Sequence, residues 1–268
     1  MIEKMKMVCV VSSVSRKDEM LDGLRSLGLL HLAEKKNPDR AVAERFTTLS
    51  KTAATLTDYA PDKNGKNKET VPVLSDSEFE EMYQNVLSAL EKKSSLEQEI
   101  SAANAEIERI KAWGKFSPED VKRVREDGYD LHFYRLGKNE YQMALQDPEI
   151  KMIALTPVDK MHTVAVLGTL PVTIPAAEFT LPEKGIDALT AQIEHCQTEI
   201  GTCEETLKKS SIYDASFQIQ MLKAQNAENY SSASETAESD ENFVWISGYL
   251  PESDLPKFKA AATEHKWA

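Results

Sequence analysis

Two stretches of the chain place apolar residues at alternating steps of three and four. The first runs Met82, Val86, Ala89, Lys93, Leu96, Ile100, Ala103, Ile107, Ile110, with a single lysine in the row. The second runs Ile186, Leu189, Ile193, Cys196, Ile200, Cys203, Leu207. That period is the heptad signature of helices packed along a narrow seam. No Pro or Gly interrupts the first stretch. It predicts one helix from Ser75 or Ser77 to about Trp113, roughly 55 Å long at 1.5 Å per residue. The second predicts a helix from about Lys184 to Asn226, released by Pro182 and slightly weakened at Gly201. Phe217, Met221 and Ala224 continue it on a neighbouring face.

A chain that leaves along one seam and returns along the other makes the two helices antiparallel neighbours. The predicted register sets Ile110 against Ile186, Ile107 against Leu189, Ala103 against Ile193 and Ile100 against Cys196. It continues with Leu96 against Ile200, Lys93 against Cys203 and Ala89 against Leu207. A slip of one heptad satisfies the period equally. Side-chain size favours this choice, because Ala103 and Ala89 then meet large partners. The Lys93 stem is expected to lie across the seam with its ammonium in water.

The remaining pattern is shorter in period. Met5–Val11 is an apolar run that reads as a buried strand. Ser15 is expected to cap a helix through Leu27 that Gly28 stops, and Leu29–Ala33 reads as a second strand. Val42, Phe46, Leu49, Ala53 and Leu56 form one helical stripe within residues 41–59; Pro61 then opens a polar loop over residues 61–72. Between the long helices, Ser117-Pro118-Glu119-Asp120 starts a short helix. Leu131–Leu136 is a strand and Asn139–Leu145 a short helix. Ile150–Thr156 and Met161–Gly168 are strands around a turn at Pro157–Lys160. After the return helix comes the acidic tract Ser231–Asn242, then a strand at Phe243–Leu250 and a last helix ending near His265.

The expected fold class is α+β: two small ferredoxin-like α/β lobes at the ends of a long antiparallel coiled-coil helical hairpin. Residues 1–40 with 243–268 form the proximal lobe, 41–113 the outgoing helices and 114–183 the distal lobe. Residues 184–230 form the return helix and 231–242 an acidic flexible linker. A β-α-β unit has too few strands to stand alone, so the strand at 243–250 is expected to complete its sheet. A final strand is expected just beyond Ala268, which makes a stop there read as a cut within a longer protein.

Composition narrows the function classes. Lys and Arg total 32 and Asp and Glu 44, a net charge of −12. A chain so acidic lacks the basic face that nucleic acid or an anionic membrane surface attracts. No run approaches 18 apolar residues, so no membrane span is expected within it. Cys9, Cys196 and Cys203 lack zinc spacing and read as reduced thiols. Cys196 and Cys203 sit where the seam wants small apolar side chains, so His195-Cys196 is not taken as a metal motif. There is no P-loop, G-x-G-x-x-G or G-x-S-x-G pattern. No catalytic, cofactor-binding or metal residue is assigned, and no small-molecule substrate is expected. Tyr134, Arg135 and Tyr141 form a candidate docking patch on the distal lobe, because Tyr and Arg are favoured at interfaces. The alternative is that they are ordinary half-exposed lobe residues.

The ends of the chain also resemble a known family. The start Met1-Ile2-Glu3-Lys4-Met5-Lys6-Met7, with Leu24-Arg25-Ser26-Leu27-Gly28 and Leu30-His31-Leu32, resembles the opening of subunit I (subunit a) of V/A-type rotary ATPases. Val244-Trp245-Ile246-Ser247-Gly248-Tyr249-Leu250-Pro251-Glu252 resembles that family's GWVP strand, with Tyr249 for Trp and Leu250 for Val. The order of elements is similar throughout. The resemblance implies a non-catalytic stator segment on the cytoplasmic face of a membrane. Its implied partners are peripheral-stalk subunits and central-stalk or collar subunits. A C-terminal membrane domain, absent here, would carry the proton or sodium path. Two other classes remain open: a free-standing coiled-coil tether or chaperone, and a ferredoxin-like ligand-binding regulator.

Overall fold

The computed structural model describes residues 3–60, 71–155, 157, 160–168, 174 and 176–268. The polar loop expected at 61–72 lies mostly outside the described residues, as do residues 158 and 159 of the turn expected at 157–160. The chain divides into two compact units, one of residues 1–84 with 208–268, the other of residues 85–207.

In the first unit, β1 (Met5–Ser13), α1 (Lys17–Leu27) and β2 (His31–Leu32) are followed, far along the chain, by β6 (Glu238–Ser239), β7 (Phe243–Pro251) and α8 (Leu255–His265). β7 lies between β1 and β2 and runs antiparallel to both; the short β6 also pairs with it. Alternation along the strands sends Val10, Val244, Ile246 and Leu250 into one core. Met20, Leu21 and Leu24 of α1, Phe258 of α8, and Trp267 pack there. The return of the C-terminal segment thus completes a sheet that the N-terminal segment cannot build alone. Ala268 exchanges two backbone hydrogen bonds with Val11 on the other edge of β1, at 2.9 and 3.0 Å.

Two glycines are required by this packing. Gly28 ends α1 at φ 63°, a left-handed conformation that costs glycine no Cβ clash. Gly248 lets β2 approach β7, since a Cβ there would lie 2.6 Å from the His31 carbonyl oxygen. Ser15 does not cap α1. It lies in a 3-10 turn, Val14–Arg16, and its hydroxyl is 3.2 Å from that of Ser13.

The first unit also holds α2 (Arg40–Thr57), the start of α3 (Asp76–Ile110) and α7 (Asp214–Thr236). Asp39 caps α2, its carboxylate accepting from the Ala41 and Val42 amides. Phe79 and Tyr83 of α3 meet Phe217 of α7 edge to face, with ring centroids 5.0 and 6.1 Å apart, a favoured aromatic geometry. The Arg45 guanidinium lies 4.6 Å above the Tyr83 ring.

Two expectations fail here. The return helix is not continuous: α6 (Ile186–Ser210) ends, a 3-10 turn spans Ser211–Tyr213, and α7 begins. The acidic tract 231–242 is not a flexible linker, because α7 runs through Thr236 and β6 follows. Its polar side chains are tied to residues near the start of the chain. The Asp39 amide donates to the Ser231 hydroxyl at 2.8 Å and the Lys36 amide to Thr236 at 3.0 Å. The Ser232 hydroxyl donates to the Lys36 carbonyl at 2.6 Å. These bonds give order to a segment whose composition alone offers little apolar burial.

In the second unit, α4 (Pro118–Glu126), β3 (Leu131–Leu136), α5 (Lys138–Gln146), β4 (Lys151–Ala154) and β5 (His162–Leu167) lie between the long helices α3 and α6. Ser117 caps α4 by accepting from the Asp120 amide, with Pro118 in the first turn. β5 lies between β3 and β4, antiparallel to both. Both sheets are therefore split β-α-β units. Among the described residues neither has the additional full strand that a ferredoxin-like sandwich requires.

Candidate functional site

The residues singled out along the two heptad rows lie on one continuous stripe of each helix. Val86, Ala89, Ala103, Ile110, Leu189, Cys196, Cys203 and Leu207 are buried. Met82, Leu96, Ile100, Ile107, Ile186, Ile193 and Ile200 are half-buried, and the positions beside them are mostly exposed. Within the second unit, contacts between the helices show the chain direction. The Lys93 ammonium donates to Glu204 at 2.7 Å, Lys92 pairs with Glu199, and the Cys196 thiol lies 3.8 Å from the Glu99 carboxylate. Nearer the turn, Ala103, Ile107 and Ile110 share a cluster with Ile186, Leu189 and Ile193. Numbers rise along α3 as they fall along α6, so the helices are antiparallel.

Lys93 sits in this stripe with its side chain 18% exposed. Its stem fills the apolar row and its charge reaches Glu204 and Glu97. The Lys92 ammonium, by hydrogen bond and charge, holds the Glu199 carboxyl below the usual range. Burial first, then the Glu99 carboxylate, pushes the Cys196 thiol up. A thiol so held stays protonated and is a poor nucleophile or metal ligand. Among the described residues, no group of three His, Cys, Asp or Glu side chains is gathered as a metal site would need.

The docking patch proposed on the second sheet does not form as one surface. Tyr134 is 5% exposed and packs in a core with Leu136, Val164 and Val166. Burial raises its phenol pKa, with the Glu178 carboxylate adding to the effect. Tyr141 packs against the same core and stacks on His162, with centroids 4.0 Å apart. Arg135 follows Tyr134 in the strand, so it points to the opposite face. The sequence showed aromatic and basic residues close together but not their alternation across a sheet covered on both sides.

A different feature has no counterpart among the residues singled out in the sequence. The side of the first sheet away from its core carries Met7, Met5, Phe243 and Tyr249, exposed by 63, 44, 53 and 42%. In the structure β1 turns Val8 and Val10 inward and Met5, Met7 and Cys9 outward. In the sequence both faces of the run are apolar apart from Lys6, so its pattern carries no signal of an open face. The run therefore reads as a buried strand.

These parts define a class: a chain of antiparallel seam helices with two small split β-α-β sheets. Its relatives narrow the class. Along its whole length the chain is similar to V-type ATP synthase subunit I. It is 25% identical over 289 residues to V-type ATP synthase subunit I 1 of Treponema pallidum (strain Nichols), covering all of this chain and 46% of that protein. It is 21% identical over 282 residues to V-type ATP synthase subunit I of Borreliella burgdorferi, covering all of this chain and 44% of that protein. The chain thus spans less than half the length of these curated relatives. A solved structure, the cytoplasmic N-terminal domain of subunit I, a homolog of subunit a of V-ATPase, aligns over 96% of this chain and 97% of that one. Its TM-score is 0.40 and its identity 14%. No protein-family model matches the chain. Among the described residues no helix is long and apolar enough to cross a membrane.

Proposed function

We propose that this chain is a stator segment of the membrane subunit of a V/A-type rotary ATPase. In this reading it binds peripheral-stalk subunits, meets central-stalk or collar subunits, and resists rotor torque without catalysing a reaction. The observation that carries the proposal is the similarity, along the whole of this chain, to less than half the length of two V-type ATP synthase subunit I proteins. The helices suit the task. α3 is one helix of 35 residues, and its sequence has no Pro or Gly at which helices commonly kink. Seam packing and the Lys93–Glu204 and Lys92–Glu199 pairs hold α6 beside it. The two lobes are the proposed contact regions, and proton or sodium passage would belong to the rest of the subunit, facing the membrane.

The test is association with the peripheral-stalk heterodimer of the same organism, followed by size-exclusion chromatography and calorimetry at low salt. A stoichiometric complex is the expected result. No association at low salt, where charge contacts are least screened, overturns the stalk-binding reading. ATP added to the isolated chain is expected to give no phosphate.

A further inference from the structure

One side of the first sheet remains open. β1 and β7 pair so that Met5 stands against Pro251, Met7 against Tyr249, Cys9 against Ser247, Val11 against Trp245 and Ser13 against Phe243. All of these side chains leave the sheet on the side opposite the core, and none is charged. Sheets bury an apolar face under another layer. The core side has its layer in α1 and α8, whereas Met5, Met7, Phe243 and Tyr249 stand exposed.

Carboxylates predominate on the β6–β7 side of this face, where the Lys17 ammonium is already engaged by the Ser234 carbonyl at 2.9 Å and Arg16 by Glu19. Residues 231–256 hold six carboxylates and no Lys or Arg. Glu238, on β6, accepts from the Trp245 indole N–H at 3.1 Å, which fixes the ring at the edge of the face. Asp240 accepts from the Asn242 and Phe243 amides at 2.8 and 2.7 Å. Those two bonds hold its carboxyl below the usual range, so it stays charged. Glu241 is exposed beside them. At the other end of the strands, Lys6 is already paired with Glu252 at 3.5 Å.

We infer that the open face of the β1–β7 sheet is a docking surface for an amphipathic helix of a protein partner, with apolar residues against Met5, Met7, Trp245 and Tyr249 and basic residues beside Glu238, Asp240 and Glu241. A helix is the element that already covers the opposite face of this sheet. Basic flanks follow from the carboxylates at the Phe243 end. A second copy of this chain would bring the same carboxylates against them, and like charges repel. The inference does not depend on the stator reading, since it names a surface and a partner chemistry rather than a complex.

Cys9 gives a direct readout. It is exposed on this face, whereas Cys196 and Cys203 are buried, so a maleimide reports on Cys9 first. The probes are an 18-residue amphipathic helix of Leu and Lys and the same pattern in Leu and Glu. At ten times its dissociation constant, the Leu/Lys helix is expected to slow Cys9 alkylation about tenfold, and the Leu/Glu helix to leave it unchanged. The variant Met7→Ser/Tyr249→Ser, checked for an unaltered melting temperature, is expected to lose the protection. Equal protection by both helices, no protection by either, or protection that survives in the variant overturns the inference. So does self-association in sedimentation runs that the variant abolishes, because the occupant is then a second copy. Stalk binding by the unaltered chain that survives in the variant leaves the stator reading standing whatever the helices do; failure of the unaltered chain to bind stalk subunits, with Leu/Lys protection present and lost in the variant, overturns the stator reading alone.

Discussion

The two small sheets have the same strand order, yet they treat their second face differently. In the second unit, Tyr134, Leu136, Val164 and Val166 enter one core, while Phe133 and Ala165 enter another with Trp113, Ile110 and Leu189. Both faces are used internally. In the first unit only one face is used, and the other leaves methionine and aromatic side chains in solvent. Equal topology therefore does not mean equal duty. The covered sheet serves its own unit's stability, and the open sheet keeps an apolar face available.

The contrast is sharpest in a pair of substitutions at facing-away positions. Phe133→Ala removes a ring that meets Trp113 at 5.3 Å and is expected to cost about 3–5 kcal/mol. Met7→Ala is expected to change stability by less than about 0.5 kcal/mol, as for an exposed residue. Urea titrations followed by tryptophan fluorescence measure both. Similar costs at the two sites would erase the distinction drawn between the sheets.

A second substitution probes how the open sheet is held together. Gly248→Val forces a side chain into the space occupied by the His31 carbonyl oxygen. Overpacking of that kind is expected to cost about 1–3 kcal/mol. Faster amide exchange at Ala33, whose N–H donates to the Ser247 carbonyl of β7 at 3.0 Å, is the local signature, because β2 must move away. Unchanged exchange there would show that β2 is not seated as described.

The smallest expected effect is a pH dependence at the β6–β7 turn. The amides of Phe243 and Asn242 depress the Asp240 carboxyl. Its contribution is complete above the ordinary aspartate value, about pH 4. It is lost as pH falls through the lower folded value, because the unfolded state then binds the proton more readily. Asp240→Asn is expected to flatten the acid limb of Phe243 amide protection and to leave neutral pH nearly unchanged. An identical acid limb in the variant contradicts the assignment.

Local signals made much of this fold legible. The unbroken heptad row from Met82 to Ile110, the Ser117-Pro118 start of α4 and Gly28 after α1 each act within a few residues. Misreadings arose where distant contacts decide the outcome. Residues 231–236 look like a solvated tract, yet Ser231, Ser232 and Thr236 bond to Lys36 and Asp39 almost 200 positions earlier. The break at Ser211–Tyr213 did have a local sign: Lys208-Lys209 ends one helix and Asp214 opens the next, charges that suit a C-terminus and an N-terminus. As for the candidate sites, the seam was readable as a period. The patch at Tyr134, Arg135 and Tyr141 was not, because proximity in sequence says nothing about which side of a sheet is covered.

The stator proposal is tested most directly through the paired stretch of α3 and α6, here called the arm, whose length is proposed to matter for coupling in a rotary complex. The direct measurement removes one heptad from each helix, residues 93–99 and 197–203 together, which keeps the rest of the proposed register and shortens the arm by about 10 Å. Ion pumping and ATP hydrolysis are then compared in the reassembled complex. Retained hydrolysis with strongly reduced pumping, from a variant chain that still melts cooperatively, is the predicted result. Full coupling with the shortened arm would contradict it.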